Sequence, residues 1–162
     1  MIDVPVNELR EGLLSSLAVE RWADEVLAAA PFESVGALLE KARDAATPLG
    51  AAEIEEAVAP HPRIGEVPVG DGEAQRFSRA EQAGFGHEDA DLAEALAAGN
   101  LAYEDRFGRV FIIRAAGRTR AEILEELERR LELPNSTELE IVGEQLRDIA
   151  LLRLEKIYGE RP

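Results

Sequence analysis

The residues of this 162-residue chain with the clearest chemical potential are two histidines, a short Ser-x-x-Glu-Gln step and one arginine in an apolar stripe. His61 stands between Pro60 and Pro62. Imidazole is the side chain whose ordinary pKa best suits proton transfer near neutral pH. Pro62 biases His61 toward extended backbone, and the two prolines stiffen the segment just before a glycine-containing loop. The alternative is a histidine that caps a helix or fills a turn, and the residue alone does not choose. Ser78-x-x-Glu81 fits a capping box, in which serine and glutamate satisfy the free N–H groups of a first helical turn. Gln82, Ala83 and Gly84 follow, and such small residues let a ligand reach that turn, where N–H groups favour an anion. Arg153 lies four residues after Ile149, seven after Leu146 and four before Ile157, on the apolar stripe of a helix. It reads either as a snorkelling or internally paired cation, or as a cation held for an anionic substrate.

Other chemistries find less support. His87 precedes Glu88-Asp89-Ala90-Asp91 and, with His61, suggests a metal site. The spacing matches no compact metal motif, and an acidic helix start after Gly86 accounts for the acids through the helix dipole. The absence of cysteine excludes disulfides, thiolate zinc sites and thiol nucleophiles. No Gly-x-Gly-x-x-Gly follows a strand pattern, and no Gly-x-Ser-x-Gly elbow is present. Eighteen basic against thirty-three acidic residues give a net charge of −15, which repels phosphate backbones and argues against a nucleic-acid partner. An anionic substrate must therefore be held by local arginine or backbone N–H groups. The first thirty residues carry charges throughout, with neither the apolar core of a signal peptide nor a membrane span. The C-terminal Gly159-Glu160-Arg161-Pro162 is not a peroxisomal tripeptide. The expectation is a soluble cytoplasmic protein.

The elements that must position these residues read as helices. With 46% hydrophobic and 31% charged residues, the composition is globular, and a chain this long buries roughly 70% of its unfolded surface as one domain, 1–162. Val6 to Ala30 supports two helices, with Asn7 as N-cap and Leu9, Leu13, Leu14, Leu17, then Trp22, Val26 and Leu27 at helical spacing. Ser34 starts a third helix through Leu38, Leu39 and Ala42, and a short one follows Pro48-Leu49-Gly50 through Ile54 and Val58. Arg63 to Phe77, with Gly65, Pro68, Gly70 and Gly72, reads as one long irregular loop after the His-Pro motif. Ser78 opens a short helix ending near Gly84 or Gly86, and a longer one carries Leu92, Leu96, Gly99, Tyr103 and Phe107 to a stop at Gly108. Val110-Phe111-Ile112-Ile113 has strand propensity but no partner run, so buried extended chain is expected. Ala121 to Leu133 and Leu139 to Tyr158 complete an all-α, single-domain helical bundle of about seven or eight helices.

Taken in order, these pieces form a pattern: His61-Pro62-Arg63-Ile64-Gly65; Ser78-x-x-Glu81-Gln82-x-Gly84; Asn100-x-x-Tyr103-x-x-Arg106-Phe107-Gly108-x-x-Phe111-Ile112; Gly117-Arg118; Ile123-Leu124-x-x-Leu127-x-x-Arg130-Leu131; and Leu152-Arg153-Leu154. The chain resembles the OHCU decarboxylase family over nearly its whole length, with Asn7, Trp22 and Pro31-Phe32 at the front. That resemblance implies decarboxylation of 2-oxo-4-hydroxy-4-carboxy-5-ureidoimidazoline (OHCU), a hydrolysis product formed from urate, to (S)-allantoin without a cofactor. It also implies roles by motif: His61 as the catalytic proton-transfer residue, Glu81 and Arg153 beside it, and substrate contacts from Pro62, Ser78, Gln82 and the backbone of Ile113, Arg114, Ala115, Ala116 and Gly117. Arg114 departs from many relatives, which have a smaller or different residue there. A homodimer is common in the family.

The resemblance also explains why no cofactor is needed. In OHCU the carbon bearing the carboxylate neighbours a carbon–nitrogen double bond that accepts the electron pair released with carbon dioxide. Two readings from other classes stand beside this one. An all-α interaction module without turnover would leave His61, Glu81 and Arg153 dispersed rather than gathered in one pocket. A metal-dependent hydrolase built on His61 and His87 would be sensitive to chelators.

Overall fold

Apolar residues at helical spacing become helices throughout the described chain. The computed structural model describes residue 2, residues 4–61 and residues 90–159. They form α1 (Val6–Ser16), α2 (Glu20–Ala28), α3 (Val35–Ala45), α4 (Ala51–Val58), α5 (Ala90–Phe107), α6 (Arg120–Leu131) and α7 (Asn135–Tyr158). Among the described residues extended pairing is limited to an isolated bridge between Ile2 and Phe32, so the chain is all-α as expected. The irregular loop and short helix expected between Arg63 and Gly86 lie outside the described residues. Contacts divide the chain into two compact units, Met1–Ala57 with Gly143–Pro162 and Val58–Val142, and α7 runs through both.

The first unit packs α1 on α2 and α2 on α3. Leu9, Leu13, Leu17, Trp22, Val26, Leu38 and Ala42 are buried, as their spacing requires. Trp22 cannot leave its indole N–H unmet in such a core, and it donates to the Ala42 carbonyl of α3 at 2.9 Å. Ser34 caps α3 by accepting the Ala37 amide at 3.1 Å. Arg21 of α2 ties down the start of α4: Nε and Nη2 donate to Glu53 at 2.6 and 2.9 Å, and Nη1 donates to the Ala45 carbonyl at 2.8 Å. Gly12 faces the Tyr158 ring so closely that a Cβ there would stand 2.2 Å from the phenol oxygen, so α1 and the end of α7 meet through a missing side chain.

The second unit packs α5 against α6 around Leu96, Tyr103, Phe111, Ile113, Ala115, Ile123 and Leu127. Gly99 allows the approach, since a Cβ at that position would stand 3.0 Å from Leu127 Cδ2. Gly108, at φ +74°, ends α5 in a conformation that L side chains rarely adopt. Residues 110–115 belong to no helix or strand, and Phe111, Ile112, Ile113 and Ala115 are all buried. Consecutive burial means that both faces of this stretch are covered, which explains a run of β-formers that joins no sheet.

Three expectations about helix ends need correction. Asn7 does not cap α1; the helix begins one residue earlier after Pro5, whose fixed φ suits the N-cap position, and no side chain caps it. The sixth helix begins at Arg120, because Thr119 and Glu122 form a capping box that the apolar pattern does not reveal, and it ends at Leu131 rather than Leu133. The last helix begins at Asn135 rather than Leu139, since the Pro134 carbonyl accepts the Glu138 amide at 3.0 Å and so supports a full turn ahead of the first apolar residue.

Candidate active site

Among the described residues of the second unit, a buried polar arrangement adjoins the irregular segment after α5. Arg130 of α6 and Glu138 of α7 are both 0% exposed. Arg130 Nε donates to Glu138 Oε1 at 2.7 Å and Nη2 donates to Oε2 at 2.5 Å, a forked pairing that matches guanidinium to carboxylate. The third guanidinium nitrogen, Nη1, donates to the Ile112 carbonyl at 2.8 Å. The Tyr103 hydroxyl of α5 donates to Glu138 Oε2. Burial, and then the carboxylate it faces, pushes the Tyr103 phenol well above its ordinary pKa, so it stays a donor. The guanidinium also lies over the Phe111 ring at 4.5 Å, and Tyr103 meets the same ring edge-on at 5.1 Å.

Beyond Ile112 the chain runs through buried Ile113, half-buried Arg114 and buried Ala115 to a turn at Ala116 and Gly117. Gly117 has φ +82°, and the Arg118 amide closes the turn by donating to the Ala115 carbonyl at 3.1 Å. The amides of Ile113, Ala115 and Ala116 meet no backbone acceptor among the described residues.

His61 also belongs to the second unit. It is half-buried, three residues past the end of α4, and its amide donates to the Val58 carbonyl at 2.9 Å, which fixes the backbone leaving the helix. Arg153 belongs to the first unit. It is 3% exposed, as its place on the apolar stripe requires, and Nη1 reaches the Ser15 carbonyl at 3.4 Å. Full burial removes the snorkelling reading: this cation is enclosed. Pro62, Ser78, Glu81, Gln82 and His87 lie outside the described residues. Among the described residues no three His, Asp or Glu side chains gather to hold a metal ion. A cavity of about 640 Å³ at the start of α3, lined by Glu33, Ser34, Tyr158 and others, contains none of the expected site residues.

Sequence reasoning missed the role of Arg130 and Glu138. The signal was present, since Arg130 stands three residues after Leu127 and seven after Ile123, the same stripe argument that singles out Arg153. Glu138 escaped because the stripe of α7 was placed one residue late, on Leu139. The buried register runs Glu138, Val142, Leu146, Ile149, Arg153.

The family model for OHCU decarboxylase matches residues 3–155. The chain belongs to the OHCU decarboxylase family. The uric acid degradation bifunctional protein TTL of Arabidopsis thaliana is 35% identical over 109 residues, 65% of this chain and 34% of that protein. The uric acid degradation bifunctional protein of Bacillus sp. (strain TB-90) is 32% identical over 103 residues, 62% of this chain and 20% of that protein. The aligned region thus spans about a third and a fifth of these two relatives. A crystal structure of OHCU decarboxylase in the presence of (S)-allantoin superposes with TM-score 0.79 and 28% identity, covering 93% of this chain and 99% of that one. A crystal structure of (S)-allantoin synthase superposes with TM-score 0.67 and 19% identity, covering 94% of this chain and half of that one, a likeness of fold.

Proposed function

We propose that the protein is a carboxy-lyase that converts OHCU to (S)-allantoin in urate degradation, acting as a single domain over residues 1–162. The observation that carries this reading is the likeness, over nearly the full length of both chains, to an OHCU decarboxylase solved with (S)-allantoin. The bond from the ring carbon to the carboxylate breaks, its electron pair forms a double bond to the ureido-bearing carbon, and the adjacent carbon–nitrogen pair moves onto nitrogen, which takes up a proton from solvent. Loss of the ring hydroxyl proton then gives the carbonyl, and the ureido-bearing carbon gains a proton on one face. The substrate supplies its own electron sink.

His61 is the proton-transfer group at the ring hydroxyl, carried on the stiff exit of α4. Glu81 orients His61 or the ureido nitrogens, and the planar donor fork of Arg153 holds an anionic or carbonyl oxygen against the acidic surface. Pro62, Ser78 and Gln82 complete the contacts. The backbone from Ile113 through Arg114, Ala115 and Ala116 to Gly117 supplies the remaining contacts, and among the described residues the amides of Ile113, Ala115 and Ala116 meet no backbone acceptor. The active form is a cytoplasmic homodimer that needs no cofactor. No described helix is long and apolar enough to cross a membrane.

The test is a circular-dichroism assay that follows freshly generated OHCU to optically active allantoin with and without the protein. Because the substrate also decays spontaneously, the expected result is a faster reaction with a large enantiomeric excess. Racemic product at the spontaneous rate would refute the assignment.

A further inference from the structure

We infer that Arg130 and Glu138 are positioning residues for the segment Ile113–Gly117, setting through the Ile112 carbonyl the direction in which its amides present themselves to substrate. This rests on the reading of that segment given above. The segment has no strand partner among the described residues, so no sheet ladder sets its register. Among the described residues, two hydrogen bonds fix its ends. At one end Arg130 Nη1 holds the Ile112 carbonyl at 2.8 Å; at the other the Gly117 turn closes with the Arg118 amide on the Ala115 carbonyl at 3.1 Å.

The chemistry of the first hold explains why these residue types are used. A guanidinium is planar, so Nε and Nη2 can face a carboxylate while Nη1 points elsewhere with a fixed angle between them. Glu138 accepts from Nε, Nη2 and the Tyr103 hydroxyl and therefore cannot rotate. Phe111, one residue before the held carbonyl, lies beneath the same guanidinium at 4.5 Å. Side chains from α5, α6 and α7 thus form one network through which Arg130 holds the Ile112 carbonyl. A fully buried ion pair contributes little net stability compared with apolar residues of the same volume, so its use here points to fixing a conformation.

The experiment uses the full chain with Arg130→Met/Glu138→Leu, which fills the space with apolar volume and removes the donor to the Ile112 carbonyl without leaving a lone charge. Steady-state kinetics on OHCU are read together with amide hydrogen exchange at Ile113, Ala115 and Ala116, with Leu96 and Ile123 as controls. The expected result is a folded protein whose KM rises about tenfold, roughly the loss of one backbone contact to substrate, while kcat falls less. Exchange should quicken at the three segment amides and not at the controls. A folded double variant with wild-type KM and unchanged exchange overturns the inference. If the double variant does not fold, Arg130→Lys serves the same comparison, because one ammonium nitrogen cannot span carboxylate and carbonyl with the fork's geometry; wild-type KM and exchange in that variant overturn it equally. Absence of turnover in the wild type defeats the reading of function instead, and the exchange data still decide positioning.

Discussion

At the scale of single residues, His61 and Arg153 carry different predictions because their surroundings differ. His61 is half-buried at a helix exit, where His61→Asn leaves packing intact, so the variant should fold and lose on the order of 10²- to 10⁴-fold in enzymatic rate, the usual worth of general acid–base catalysis. Enantiomeric excess is the sharper reading, since racemisation toward the spontaneous product exposes loss of one-face protonation. Arg153 is enclosed, and Arg153→Leu replaces a buried cation with a side chain that suits its stripe. The expected outcome is retained helix content by circular dichroism with a loss of about 10²-fold or more in kcat/KM, comparable to removing one preorganised donor. Unfolding of Arg153→Leu, with full activity in a stabilised revertant that has no arginine there, would make the residue structural.

Among elements, α2 and α4 are joined by charge, through Arg21 and Glu53. Donation from Arg21, aided by the Gly50 amide, holds the Glu53 carboxyl below its ordinary value of 4.5 against the opposing effect of burial. A carboxyl with a depressed folded-state pKa stabilises above its unfolded value, and that contribution is lost as pH falls through the lower folded value. Glu53→Gln should therefore lower stability by about 1 kcal/mol at pH 7, and the gap should close as pH falls below the ordinary carboxyl range. Urea denaturation of both proteins across pH 3 to 7 checks this, and the difference cancels the wider effect of the −15 charge. A gap independent of pH would show that the ion pair does not stabilise. Helix existence and type were legible because Leu, Ile and Val recur at 3.6-residue spacing, as at Leu38 and Ala42 or Ile123 and Leu127. Helix starts were less legible, because Thr119 with Glu122 and the Pro134 carbonyl act through hydrogen bonds that leave no hydrophobic period. The burial of Arg153 was legible from its stripe and Arg130 carried the same signal on α6, whereas Glu138 declares itself only once α7 is seen to begin at Asn135.

For the whole molecule, α7 is the continuous element, contributing Glu138 to one compact unit and Arg153 to the other along one buried register. A 24-residue helix shared in this way should couple the folding of both units, as the single-domain proposal requires. The chain has one tryptophan, and Trp22 is buried in the first unit, so its fluorescence reports that unit while far-ultraviolet circular dichroism reports every helix. The two signals should trace the same urea transition. Separated midpoints would mean that the units fold independently and that 1–162 is not one domain.

The paired burial of Arg130 and Glu138 also limits the routes by which this sequence can drift. Losing either partner alone strands a charge in the interior at a cost of about 3–5 kcal/mol, a large share of a small domain's stability, whereas replacing both with apolar residues is often neutral. Each alternative of equal stability is therefore two substitutions away, across an intermediate that selection removes. Positions 130 and 138 should be inherited as a unit, and a lineage that has lost one should have lost the other.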